Sequence, residues 1–550
     1  MKTITRPGKW LLKHSLVRTF DKLCLVTSGR IFLIPALMLY STLLLGQSTW
    51  SEISKEIIEV DIRSSADGSM QKAMLYKSPK AGQPLIVHLH SWSASYRTAQ
   101  PDMFAQIQYR DYNYIYPDFR GPNNRPEACG SNLVISDIAD AIAYALKETG
   151  ADRTEVHLVG SSGGGGAVMN CYMRLKYPAK SFSAWCSVTD LESWYWEVFA
   201  RGYKNYANSI MKSTSSVNTL NIGEAQRRSP MFYPYDPTLR EGASLSMYAG
   251  IHDGYTADVP ITQTLHMYNK IAKEKYPEDK NAIVPDKDII ELLSKRCYPG
   301  APKANIGDRK LHYHKRAGDI EVVIFEGGHD RLDDQVIGLI PVLDKVKRNP
   351  VTFLTLGDAN ATATLGWANQ LSMIFPYSTL VNRSMPDKCL GVSADSVNSL
   401  HTIDSILLSV KDSPDCIVIG LGTNDAKKEY ASQSREFGKN MRLLITRITN
   451  SDLYRRSAPK LIILSCPPVD ERIADPDAFS GAKKRLAGFN LELSKIAREK
   501  GALYIDTGAL LAASGRWTDD EWTTSDGVTL TPGATRLVVE AIARAIEKSE

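Results

Sequence analysis

The stretch "EVHLVGSSGGGGAVMNCYM", residues 155–173, decides how this chain folds. An apolar run ends in two serines and four consecutive glycines, and a helix-compatible pattern follows. A phosphate cradle is excluded by the residues themselves. A P-loop needs Lys-Ser or Lys-Thr after its glycines, and Gly166 is followed by Ala167 and Val168; a dinucleotide fingerprint opened at Gly163 needs a glycine where Val168 stands. The frame Gly160-Ser161-Ser162-Gly163-Gly164 does fit Gly-x-Ser-x-Gly, a tight strand-to-helix turn in which flanking glycines relieve the clash around a nucleophilic serine.

Such a turn needs an acid and then a histidine, in that chain order, each just past a later strand. "SMYAGIHDGYTADVP" places Asp253 after one apolar run, with Asp258 as a second candidate, and "VVIFEGGHD" places His329 after another. An oxyanion hole needs one backbone N–H from the loop after an early strand and one following the nucleophile. In "LIVHLHSWSASY" and the elbow those are the N–H groups of Trp92 and Gly163, while His90 is expected to order the loop and not to transfer protons.

Around these residues short β-rich runs alternate with helical periodicity. Strands are expected at 83–90, 112–118, 155–160, 244–250 and 320–326, and helices at "NLVISDIADAIAYALKE" and "VIGLIPVLDKV". Apolar strands buried between helices imply a mostly parallel α/β sheet. The alternation breaks near 190–232, where a helical cap is expected. "KRNP" at 347–350 reads as a linker, and "VTFLTLGD" opens a second α/β series with strands near 416–421 and 460–466.

The chain has 550 residues, more than one core accommodates. Residues 1–47 hold seven basic side chains and one acid, so of the formal +5 the remainder carries −1, which gives no electrostatic case for nucleic acid. That basic segment continues into a fifteen-residue apolar run, Ile31 to Leu45, then small and polar residues: a signal peptide at 1–47, with no stable membrane span after its cleavage, and an exported (periplasmic or secreted) bacterial protein. Eight cysteines form no metal signature; Cys129 could pair with Cys171 or Cys186, or all could be small buried hydrophobes.

With elbow, acid and histidine in order, residues 50–348 resemble an α/β-hydrolase of the prolyl-oligopeptidase-like and carbohydrate-esterase type. The resemblance implies Ser162 as nucleophile, His329 as general base and then acid, and Asp253 orienting the imidazole. No β-propeller lies upstream, which favours an esterase over a large peptidase. Residues 351–550 resemble the SGNH (GDSL) hydrolases, a flavodoxin-like α/β fold, through short blocks. The first reads Gly357-Asp358-Ala359, without the serine; the second has Ala394 in place of its glycine; "GLGTND" keeps Asn424; the last has Thr529 in place of the histidine. The only histidine after residue 350 is His401, in a helical pattern, so this domain reads as a pseudo-hydrolase that either keeps a sugar cleft or braces the first domain.

In "DFRGPNNRPEACG" Arg120 and Arg125 are candidates to grip a carboxylate bidentately, or to pair with Asp118 or Glu127. Trp194, Tyr195 and Trp196 in the cap are candidates to stack on sugar rings, or to be cap core. An exported esterase joined to an SGNH-like module is similar to enzymes acting on plant polysaccharides, pectin methylesterases with an α/β-hydrolase domain above all. The implied partner is a polysaccharide or oligosaccharide ester. Acetyl or feruloyl esterase, a serine peptidase using Glu192 and Glu197 to hold an amine, and a non-catalytic glycan-binding protein are the alternatives. No motif calls for a metal, nucleotide or other cofactor.

Overall fold

The computed structural model describes residues 49–340, 348–363, 365–375, 377–392, 396–513 and 522–547. The signal peptide expected at 1–47 and the Ala394 position lie outside the described residues. From Ser48 onward the chain forms one compact unit containing two sheets.

The first sheet has ten strands: β1 (Ile58–Arg63), β2 (Met70–Tyr76), β3 (Leu85–Leu89), β4 (Asn113–Pro117), β5 (Val156–Ser161), β6 (Ser181–Trp185), β7 (Ser244–Gly250), β8 (Asn305–Ile306), β9 (Arg309–Ala317) and β10 (Ile320–Phe325). Their spatial order is β1-β2-β4-β3-β5-β6-β7-β10-β9-β8. From β4 to β10 neighbours run parallel, and the two edges are closed by antiparallel pairs. Every residue of β3, β4, β6 and β10 is buried, as continuous apolar runs covered on both faces require. Helix α1 (Pro101–Tyr109) follows β3. Helix α2 (Asn132–Thr149) starts where Ser131 accepts from Val134 N–H and stops at left-handed Gly150.

Between β6 and β7 lie α3 (Leu191–Ala200), α4 (Lys204–Ser213) and α5 (Ile222–Arg227), the expected cap. Its core of Trp194, Val198, Ile210 and Leu220 packs onto Trp92 and Cys129, so the cap sits on the loop after β3. The helix expected at 336–346 does not form in its described part: 333–339 is a run of turns, and 341–347 lie outside the described residues. Packing of Val336, Ile337 and Ile340 onto Phe104 and Ile107 of α1 explains why the segment is apolar without being a helix.

The second sheet is wholly parallel: β11 (Thr352–Gly357), β12 (Thr379–Asn382), β13 (Cys416–Gly420), β14 (Lys460–Leu464) and β15 (Leu503–Ile505), in the order β12-β11-β13-β14-β15. This is the flavodoxin-like 2-1-3-4-5 arrangement. The protein is therefore an α/β-hydrolase sheet followed by an SGNH-type α/β sheet.

Specific polar contacts join the two. Tyr109 donates to Gln370 Oε1, and Arg110 Nη2 donates to the Met373 carbonyl at 3.3 Å. Tyr377 reaches under the first sheet, where its hydroxyl donates to Glu321 Oε1 at 3.0 Å. Glu321, 4% exposed, also accepts from Ser246 Oγ on β7 at 2.8 Å and lies 3.0 Å from His314 Nε2 and 2.7 Å from Arg316 Nη2 on β9. Burial alone raises its pKa, but the His314 hydrogen bond and the Arg316 charge outweigh that and hold it at about 2.

Candidate active site

Ser162 directly follows β5 with φ 58° and ψ −120°, a backbone that a non-glycine residue adopts only when its surroundings enforce it. The enforcement is visible. Ser162 N–H donates to Trp185 O at 2.8 Å, and its carbonyl accepts from Gly166 N at 2.9 Å to start helix α6 (Gly163–Arg174). The glycines serve close approach: a Cβ on Gly164 would stand 2.1 Å from the Leu89 carbonyl oxygen. The glycine run is thus spent on packing a helix directly against β3, not on cradling a phosphate.

Asp253 follows β7 and His329 follows β10, and these strands are parallel neighbours, so the two residues meet at one sheet edge. His329 Nδ1 lies 2.8 Å from Asp253 Oδ2. The other carboxylate oxygen accepts from Gly254 N at 2.9 Å and Val259 N at 3.0 Å, which fixes the carboxylate plane. Burial lowers the pKa of His329, yet the hydrogen bond and charge of the 1%-exposed Asp253 more than offset it, and the net shift is upward. Asp258 faces elsewhere: its carboxylate accepts from Tyr206 in the cap at 2.8 Å and its carbonyl from Trp194 Nε1 at 3.0 Å. Among the described residues the Ser162 hydroxyl and His329 Nε2 have no hydrogen-bond partner, a loose geometry common before substrate binds.

Trp92 and Gly163 are brought together. A Cβ on Gly163 would lie 2.8 Å from Trp92 N and 2.9 Å from Asn123 Nδ2, so two backbone groups and one buried side-chain amide converge beside the elbow. Asn123, which sequence reasoning passed over, is fixed by its N–H to the Trp92 carbonyl (2.9 Å) and by Cys129 N–H to its own Oδ1 (2.8 Å). The ring nitrogens of His90 lie 3.0 and 2.9 Å from the Ser91 and Asp118 carbonyls, and burial lowers its pKa. It therefore ties the loop after β3 to the end of β4.

Two further residues carry no local signal in the sequence. Arg331, just past His329, places Nη1 2.6 Å from His88 Nε2, and His88 Nδ1 lies 2.8 Å from Tyr114 OH. That chain fastens the histidine loop to β3 and β4. Cys186, just past β6, sits with ligand-type atoms of Asp253 and His329 within a mutual 4.8 Å, a set that could hold a soft divalent ion. It is a free thiol, as are Cys129 and Cys171, so the disulfides considered above do not form; burial pushes the Cys129 and Cys171 thiols up to about 12.

The proposed carbohydrate contacts are largely corrected. Arg120 is 5% exposed and its guanidinium is committed to Asp67 and Asp137, with Nη2 also 3.0 Å from Ser64 Oγ. It is an internal tie between α2 and the loops, not a substrate clamp, and neither Asp118 nor Glu127 is its partner. Arg125 donates through Nε to the Arg120 carbonyl at 2.9 Å and so stabilises its own loop. Trp194 is 1% exposed, its ring 4.8 Å from that of Trp92, and is cap core. Trp196 is 51% exposed and remains open to a ligand.

In the second sheet Ala359 begins a single turn of helix whose first N–H groups are capped by Asp358, the Asn360 N–H donating to Oδ1 at 3.0 Å. Thr529 Oγ1 donates to Asp526 Oδ2 at 2.6 Å where a histidine would pair with the acid. Asn424 Nδ2 donates to the carbonyls of Pro386 and Lys388, each at 2.9 Å. His401 is exposed on helix Ser399–Ser409. Neither serine nor histidine stands at the two positions that acyl transfer requires.

An α/β-hydrolase sheet with a serine elbow, joined to an acylhydrolase-type domain, defines the class: a serine ester hydrolase. Residues 354–534 match the GDSL-like Lipase/Acylhydrolase family. No curated protein matches the chain. Among solved structures, a carbohydrate acetylesterase family member from Sinorhizobium meliloti is 20% identical with a TM-score of 0.31, covering 36% of this chain and 98% of its own. Pyrococcus horikoshii acylaminoacyl peptidase is 16% identical with a TM-score of 0.35 over 52% of this chain and 39% of that one. The M. smegmatis aryl esterase is 18% identical, TM-score 0.31, over 36% and 99%. These are distant likenesses, and the reading of the site rests on its own geometry. Among the described residues no helix is long and apolar enough to cross a membrane.

Proposed function

We propose that the protein hydrolyses methyl esters of uronic acids in plant cell-wall polysaccharide, as a pectin methylesterase, with Ser162, His329 and Asp253 as its catalytic residues. The observation that carries the chemistry is the 2.8 Å contact between His329 Nδ1 and a buried Asp253 at the sheet edge where the Ser162 elbow also lies. Asp253 fixes the tautomer in which Nε2 is free to accept. The Ser162 proton passes to Nε2 as Oγ bonds to the ester carbonyl carbon, and the developing oxyanion is met by the N–H groups of Trp92 and Gly163. Collapse breaks the bond to the alkoxide oxygen, which leaves as methanol with the proton from His329. A water deprotonated by His329 then hydrolyses the acyl-enzyme and restores Ser162.

The methyl-ester assignment comes from the family resemblance. Acetyl and feruloyl esters use the same steps with another leaving group or acid. In the peptidase alternative the candidate acids already have partners, Glu192 accepting from Gln226 at 2.9 Å and Glu197 lying 3.8 Å from Arg201. We assign the second sheet a bracing role, on the Tyr377–Glu321 contact, and residues 1–47 a role in export to the periplasm or medium. The test is methanol and acetate release from pectins and xylans by wild type and Ser162→Ala. Methanol lost in the variant supports the assignment; acetate moves the substrate; an active Ser162→Ala overturns the nucleophile.

A further inference from the structure

Just past Asp253 the chain presents an aromatic ring and an unneutralised cation that the chemistry above does not use. Tyr255 is 66% exposed, in the turn two residues beyond Asp253. The guanidinium carbon of Arg296 lies 4.8 Å from its ring centroid, and Arg296 Nη1 donates to the Ile251 carbonyl at 3.2 Å. Among the described residues no carboxylate pairs with Arg296, although the neighbouring Lys295 is paired with Glu291. Arg296 also has φ 53°, a left-handed backbone that glycine would adopt freely. Arg201, at the end of cap helix α3, donates from Nη2 to the Tyr255 carbonyl at 3.4 Å, which fastens this turn to the cap. On the same helix Trp196 and Phe199 are exposed, their rings 6.3 Å apart.

We propose that Tyr255 and Arg296 form a subsite for a free uronate residue of the same glycan chain whose ester Ser162 attacks. The open face of Tyr255 takes the C–H face of one pyranose, and Arg296, on the ring's other face, takes the carboxylate of the neighbouring uronate in a charge-assisted pair. This deepens the esterase reading and rests on it: the preferred substrate is a polyuronide already partly de-esterified, so each cleavage leaves a carboxylate that fits the subsite for the next. Because Tyr255 is 66% exposed, added salt is expected to weaken the contact.

Two measurements test the proposal. In the first, kcat/KM is compared between partly de-esterified pectin and a small neutral ester, p-nitrophenyl acetate, for wild type, Arg296→Gln and Tyr255→Ala. The loss on pectin is expected to exceed the loss on the small ester by about tenfold, the size of one charge-assisted contact. Equal losses on both would overturn the subsite. In the second, fully de-esterified polygalacturonate is titrated into Ser162→Ala protein, where binding should be salt-sensitive and weakened by Arg296→Gln; unchanged binding in that variant likewise rejects it. Should Arg296→Gln fail to fold, Tyr255→Ala, at an exposed position, carries both tests. Wild type that binds polygalacturonate through Arg296 yet releases no methanol would leave the subsite standing and remove the esterase reading. Absence of both binding and release removes both.

Discussion

Asp253 and His329, 76 residues apart in the chain, are joined by a 2.8 Å contact because β7 and β10 are adjacent parallel strands that end together. The carboxylate is buried, held by two further backbone N–H groups, and turned toward one imidazole nitrogen only.

Asp253→Asn should therefore lower kcat/KM by about three to four orders of magnitude while leaving the fold intact, because the amide stabilises the wrong imidazole tautomer. Asp258→Asn should change kcat/KM by less than about tenfold, since Asp258 faces Tyr206 and not the imidazole. Steady-state kinetics and circular dichroism on the two variants check this; similar losses in both would refute the assignment of the acid.

The upward shift of His329 sets the acid limb of the activity profile. A general base must be neutral, so kcat/KM should fall as pH drops through a value above the ordinary histidine value of about 6.5. In Asp253→Asn the limb should move to lower pH, as burial is then unopposed. A profile of kcat/KM against pH for both proteins reads the displacement directly, and a limb in the wild type below that of the variant contradicts it.

Tyr377→Phe should cost about 1–2 kcal/mol, as it removes a hydrogen bond to a buried carboxylate. Urea unfolding measures it. Glu321 is held below its unfolded value, so the stability it contributes is full above about 4.5 and is lost as pH falls toward about 2. The unfolding midpoint of wild type should drop through that window. A brace that is only incidental would leave the midpoint of Tyr377→Phe unchanged.

Two glycines should respond oppositely to alanine. In Gly164→Ala the new Cβ would lie 2.1 Å from the Leu89 carbonyl oxygen, so helix α6 must move off β3, at about 3 kcal/mol or more. Gly488 lies inside helix Ala482–Lys500 with nothing within 4 Å of an added Cβ, and alanine there should stabilise by about 0.5–1 kcal/mol. Thermal unfolding of both variants compares the signs.

Much of this protein is legible as sequence because the signals are local. Continuous apolar runs, buried on both faces, mark β3, β4, β5, β7 and β10, and a 3.6-residue periodicity marks helix α2. The elbow is equally local: five consecutive residues specify the turn at Ser162, and Gly357-Asp358-Ala359 shows the missing serine of the second sheet without any structure. Chain order alone leaves Asp253 and Asp258 as alternatives, since both follow β7, and only the tertiary contacts separate them: Asp253 meets His329 while Asp258 meets Tyr206.

What the sequence by itself determined is the class of fold, the elbow, and the loss of serine and histidine from the second sheet, since each resides in residue identity at fixed spacing. What only the tertiary structure decided is where the long polar side chains go. Arg120 looks like a carboxylate clamp until Asp67 and Asp137 are seen to neutralise it. Trp194 looks like a stacking platform until the cap buries it. Asn123, Cys186, Arg331 and Tyr377 gain their roles from partners tens to hundreds of residues distant. An arginine or a tyrosine can satisfy its charge or hydroxyl with any group the fold brings within about 3 Å, and no local pattern encodes which group that is.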